Sequence, residues 1–116
     1  MSDNQLELAK RRLLLQLVNQ LEDQLRLQNL WQSDKPSTAA LNSNVPFAID
    51  SLTFVQWLQF IFIDKITYLL QFSLPLPNTM CVLPMAEESF KRDSIHAEKV
   101  LDIIERIDLL ISENKQ

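Results

Sequence analysis

The chain has 116 residues, a net charge of −4, one cysteine and no glycine. That length suits a single domain spanning residues 1–116, which hides roughly two-thirds of its unfolded surface on folding and needs neither metal nor disulfides to stay folded. The lone Cys81 excludes an intramolecular bridge and suits a reducing cytoplasm, and the acidic balance is the wrong sign for a typical nucleic-acid domain.

The missing glycine removes several chemistries together. Loops that cradle phosphates need backbone that approaches an anion closely at positive φ, and tight type I′ and II′ hairpins share that need. Helices joined by Pro- and Asn-containing loops remain, so the expected fold is all-α. The opening residues, MSDNQLELAKRRLLLQ, have their apolar run broken by Lys10, Arg11 and Arg12 and are not expected to be a signal peptide. The most apolar stretch, Phe54 to Ile63, is interrupted by Gln56 and Gln59 and falls short of the ~20 residues that span a bilayer.

The first predicted helix runs from Asp3 to about Leu30, capped by Ser2 or Asp3. Leu14, Leu17, Val18, Leu21 and Leu25 form its apolar stripe, and Glu7 with Arg11 makes an i,i+4 ion pair in the favourable order. Residues Trp31 to Asp50 form a long connection rich in Ser, Asn and Pro, which Trp31, Leu41, Val45 and Phe47 are expected to pin over the bundle as an ordered loop.

Asp50 or Ser51 is expected to cap a second helix reaching about Phe72. At ~100° per residue, Val55, Leu58, Phe62, Ile66 and Leu69 line one face, with Phe54, Trp57, Ile61 and Tyr68 beside them. Gln56, Gln59 and Thr67 stand opposite, yet Phe60 and Ile63 fall among them. A helix that is apolar nearly all round must be covered on every side, by the long loop or by a partner.

The prolines of SLPLPN, Ser73 to Asn78, end that helix. Pro84 is placed to open a short third helix, with Glu87 and Glu88 near the positive end of its dipole. Asp93 or Ser94 is expected to start the last helix, where Val100, Ile103, Ile104, Ile107, Leu110 and Ile111 recur at three- and four-residue steps. Asp102, Glu105, Arg106 and Asp108 are its expected solvated face.

Catalytic groups are scarce. His96 is the sole histidine, and pairing it with Cys81 is the only nucleophile–base reading the chain offers. Structural zinc sites of the usual Cys/His kind take four such ligands and catalytic ones about three, more than one cysteine and one histidine supply, so no metal and no cofactor is expected. Lys10, Arg11 and Arg12 form the one basic cluster on the first helix that could meet a phosphate backbone, with no aromatic interleaved to stack a base. The stronger expectation is a non-catalytic interaction protein with a contact surface around Phe47, Trp57, Phe60, Ile63 and Glu87. An RNA-binding accessory factor using Lys10, Arg11 and Arg12 is the alternative.

Two segments carry a family resemblance. FAIDSLTFVQWLQFIFI, Phe47 to Ile63, and LPLPNTMCVLPMAEE, Leu74 to Glu88, resemble the YqcC-like family of small uncharacterised bacterial proteins, and the first helix and Trp31 fit as well. The resemblance implies a four-helix bundle with the second helix placed centrally. It also implies a link with tRNA modification, because genes of that family often lie near a tRNA pseudouridine synthase gene. The implied partner is another protein, such as a tRNA-modifying enzyme, or a second copy of the chain as a homodimer. No catalytic residue comes with the resemblance. Relatives tend to carry proline where this chain has Asp64, and Asp permits the helix to continue there.

Overall fold

The computed structural model describes residues 3–35 and 52–112. These residues form four helices and no strands. We label them α1 (Asp3–Leu27), α2 (three consecutive stretches, Phe54–Trp57, Leu58–Ile63 and Asp64–Gln71), α3 (Leu83–Arg92) and α4 (Glu98–Ser112). Of the two expected caps of α1, Asp3 is already the first helical residue; Ser2, and Leu41, Val45, Phe47, Asp50 and Ser51 of the long connection, lie outside the described residues.

The long helices α1 and α4 pack together most extensively, with α2 against α1 and α3 against α4. The stripes predicted for α1 and α4 are buried throughout, Leu14, Leu21, Leu25, Val100 and Ile111 completely. Each such side chain contributes roughly 1.5–3 kcal/mol on leaving water, so these two stripes hold the bundle together. No described helix is long and apolar enough to cross a membrane.

Without glycine, the chain ends its helices by another route. Asn29, Ser73 and Ser94 take left-handed backbone, with φ of 59°, 55° and 55°. Each is followed by an apolar residue whose N–H reaches back five positions: Leu30 to Leu25, Leu74 to Leu69, and Ile95 to Phe90, at 2.8–2.9 Å. These are Schellman caps, and in each the apolar residue after the turn is matched with an apolar residue at the far end of that hydrogen bond. Ser94 thus closes α3, so α4 starts at Glu98 and not at Asp93 or Ser94 as expected.

A serine in this conformation carries a steric cost that glycine lacks. Ser73→Gly and Ser94→Gly are therefore expected each to raise stability by about 0.5–1 kcal/mol, read as a higher urea midpoint at unchanged slope. Loss of stability in both would show that these positions do not hold positive φ.

Helix α2 begins later than expected because Thr53 and Gln56 form a reciprocal capping box. The Thr53 hydroxyl accepts from the Gln56 N–H at 3.1 Å, and the Gln56 side-chain oxygen accepts from the Thr53 N–H at 2.9 Å. The helix runs on through Asp64, as aspartate permits.

Between its two α-helical parts, residues Leu58–Ile63 are wound as a π-helix. Bonds from i to i+5 accommodate one extra residue, so the positions that follow lag by roughly 100° against a regular helix. The observed burial corrects the face assignments. Ile63 is 5% exposed and Gln59 4%, although both are expected among the outward residues; at ~100° per residue they fall only about 80° and 40° from Val55, at the border of the core face. Tyr68, assigned to the flank, is exposed and pairs with Phe72 at a ring separation of 4.8 Å.

Candidate partner-binding groove

The buried Gln59 has a defined task. Its side-chain oxygen accepts from the Gln32 N–H at 2.9 Å and its side-chain nitrogen donates to the Gln32 carbonyl at 2.8 Å, the pattern of one strand pairing with another. The π-helical stretch of α2 thereby holds the chain that follows α1. Trp31, half-buried against the core, lies under the Arg26 guanidinium at 4.7 Å, a cation–π contact that keeps the same segment in place.

On another side of α2 the segment from Pro77 to Val82 runs past the helix and turns into α3. No side chain of its own caps α3. Instead Asp108 of α4 accepts from the Val82 N–H at 2.9 and 3.0 Å and from the Leu83 N–H at 2.8 Å. Its carboxylate takes up two orphan donors at the positive end of the α3 dipole. Ser112 adds a second tie, its hydroxyl accepting from the Met80 N–H at 3.0 Å and donating to the Met80 carbonyl at 3.4 Å. Asp108 is therefore a tertiary cap and not part of a solvated face.

This tethered segment and α2 enclose an apolar cavity of about 310 Å³. Trp57, Ile61, Phe62 and Ile66 form one wall, and Met80, Val82 and Met85 the other. Lys65, Thr79 and Cys81 are the polar and thiol groups at its edge, and the Cys81 thiol is exposed. A second cavity of about 370 Å³ lies across the same ridge: Trp57 and Met85 line both, joined in the second by Leu52, Phe54, Glu88 and Arg92. The first cavity has little for a polar substrate to orient against.

The residues expected at a contact surface are not brought together. Trp57 lines both cavities, but Ile63 is in the core. Phe60 is half-buried and lines neither cavity, while Glu87 faces a separate cleft beside His96. Phe47 lies outside the described residues. Cys81 and His96 line different clefts, which gives the nucleophile–base pairing no geometric support. Among the described residues no three His, Cys, Asp or Glu side chains cluster as metal ligands.

The basic cluster divides likewise. Lys10 donates to the Ile111 carbonyl at 3.3 Å, at the C-terminal end of α4. Arg11 pairs with Glu7 at 2.8 Å, as the spacing predicts, and donates to the Leu69 and Leu74 carbonyls where α2 ends. Two adjacent cations thus serve the negative ends of two helices, and of the three only Arg12 is fully on the surface. Sequence reading missed Met80, Met85 and Ile61. The available signal was the pair of methionines flanking the Pro84 turn, since methionine fills irregular and adaptable apolar surfaces.

Residues 13–110 match the model of a family, DUF446, described as tRNA pseudouridine synthase C. An uncharacterised protein of Haemophilus influenzae is 37% identical over 76 residues, covering 66% of this chain and 72% of its own. The uncharacterised protein YqcC of Escherichia coli is 32% identical over 94 residues, 81% of this chain and 86% of that one. A tRNA pseudouridine synthase C of Pectobacterium carotovorum is 36% identical over 59 residues, 51% of this chain but 16% of that much longer one. The solution NMR structure of E. coli YqcC superposes with a TM-score of 0.80 at 27% identity, covering 92% of each chain.

Proposed function

The chain belongs to the DUF446 family of YqcC-like proteins, and we propose from that membership that it is a non-catalytic accessory protein that binds a tRNA pseudouridine synthase. The observation that carries this reading is the segment of the Pectobacterium synthase chain that is 36% identical to this one. When a stretch similar to a small protein sits inside a long enzyme chain, the small protein is a candidate to meet that enzyme as a separate partner. The apolar cavity between Trp57 and Met80 is consistent with a protein ligand, because apolar concavities of this kind commonly mark contact sites. The setting is the cytoplasm, where an exposed lone thiol such as Cys81 stays reduced.

Direct RNA binding has less to work with. Lys10 and Arg11 already satisfy helix ends within the fold, and the chain is acidic overall. Mixing the purified protein with the tRNA pseudouridine synthase C of the same cell is expected to give a complex by calorimetry at micromolar concentration. Its affinity should change little between 50 and 200 mM salt, whereas contact through several phosphates loses orders of magnitude over about that range. No heat of binding to the synthase, with steeply salt-dependent binding to tRNA, would replace this reading by the RNA one.

A further inference from the structure

Given the association just proposed, on which this step rests, we infer that the two cavities flanking the Trp57–Met85 ridge form one docking groove for an apolar segment of the synthase. Two half-open hollows across a single ridge suit a chain that seats a large apolar side chain in the first and runs on over the second, where Leu52 and Phe54 stand beside Glu88 and Arg92. They suit a compact metabolite poorly, since few polar groups converge in the first cavity to orient one. Met80 and Met85 give the lining the adaptability that recurs where helices and extended segments are bound.

The groove is also built in advance. Asp108 and Ser112 tie down its loop wall, and π-helical turns, of which the Ile61 and Phe62 wall is part, occur frequently at functional sites. Lys65 lies at the rim and makes no ion pair among the described residues, so an acidic side chain next to the apolar anchors of the incoming segment completes the match.

Cys81 makes the groove testable, because it is the sole cysteine, is exposed and lines the first cavity. Calorimetry with the full chain and purified synthase compares the unmodified protein, the protein carrying a bulky maleimide adduct on Cys81, Met85→Glu, and Leu109→Asp. Leu109 is exposed and lies outside the groove. The expected result is at least tenfold weaker binding for the adduct and for Met85→Glu, unchanged binding for Leu109→Asp, and slower labelling of Cys81 when the synthase is present. Circular dichroism confirms that Met85→Glu is folded, and the adduct, on an exposed thiol, reads the groove without a core substitution.

Synthase binding that survives both groove changes, with Cys81 labelled at its free rate, overturns the groove while leaving the association intact. Sedimentation showing a dimer of the chain alone that the adduct dissociates assigns the groove to a second copy and overturns it too. Absence of binding by the unmodified protein instead removes the association on which the groove rests.

Discussion

Ile63→Ser is expected to cost about 4 kcal/mol, and Phe60→Ser about 1–2 kcal/mol. Truncating a buried isoleucine costs roughly 2–5 kcal/mol through lost transfer energy and an incompletely closed cavity, and a hydroxyl left in an apolar site adds to that. Ile63 is 5% exposed among core neighbours, whereas Phe60 is half-buried and already meets water. With a total stability of roughly 5–15 kcal/mol for a domain, the first change removes a large share and the second does not. Urea unfolding of both variants decides it. Similar small losses from the two changes would show that Ile63 is not part of the core.

The next largest effect belongs to Asp108. Removing its carboxylate by Asp108→Ala leaves the Val82 and Leu83 N–H groups without their acceptor, at the end of a helix that has no cap of its own. Caps contribute roughly 0.5–2 kcal/mol and charge-assisted bonds more than neutral ones, so a loss of about 2–3 kcal/mol is expected. The comparison is Asp102→Ala on the same helix. Asp102 pairs with Arg106 at 3.2 Å across an exposed face, side chains 55% and 62% accessible, and such pairs are worth about 0.5 kcal/mol or less. Equal losses from the two substitutions, measured by thermal or urea melts, would show that Asp108 does not cap α3. Because Asp108 also anchors one wall of the groove, Cys81 should be alkylated faster in Asp108→Ala.

These two residues mark the limit of what patterning can reach. Asp102 and Asp108 sit six positions apart on one helix and look alike in the sequence, where both join the expected solvated face. They differ only in what lies opposite: solvent and Arg106 for one, the first residues of α3 for the other. Lys10 and Arg11 teach the same lesson, since their partners are carbonyls 101 and 58–63 positions away. A cation cluster reads as a nucleic-acid signal until the fold shows helix ends against it.

Thr53 and Gln56 are a different kind of miss. Their capping box is present in the letters TFVQ, a T-x-x-Q signature before an apolar run, three residues beyond Asp50, where Asp50 and Ser51 offer competing cap residues. The left-handed turns at Asn29, Ser73 and Ser94 are similarly local, and the small polar residues at the ends of the first three helices hint at them once glycine is absent.

The amino-acid order alone determined that the described residues are helical, that they form four helices, and which sides of α1 and α4 are inside. Those follow from the lack of glycine and from apolar residues recurring at a regular 3.6-residue step, a property each helix carries by itself. Tertiary structure decided the winding of α2, the inward turn of Ile63 and Gln59, the anchoring of the loop before α3, and with it the apolar groove beside Trp57. Each of those depends on side chains finding partners remote along the chain, and no local period records a contact between residues that only folding brings together.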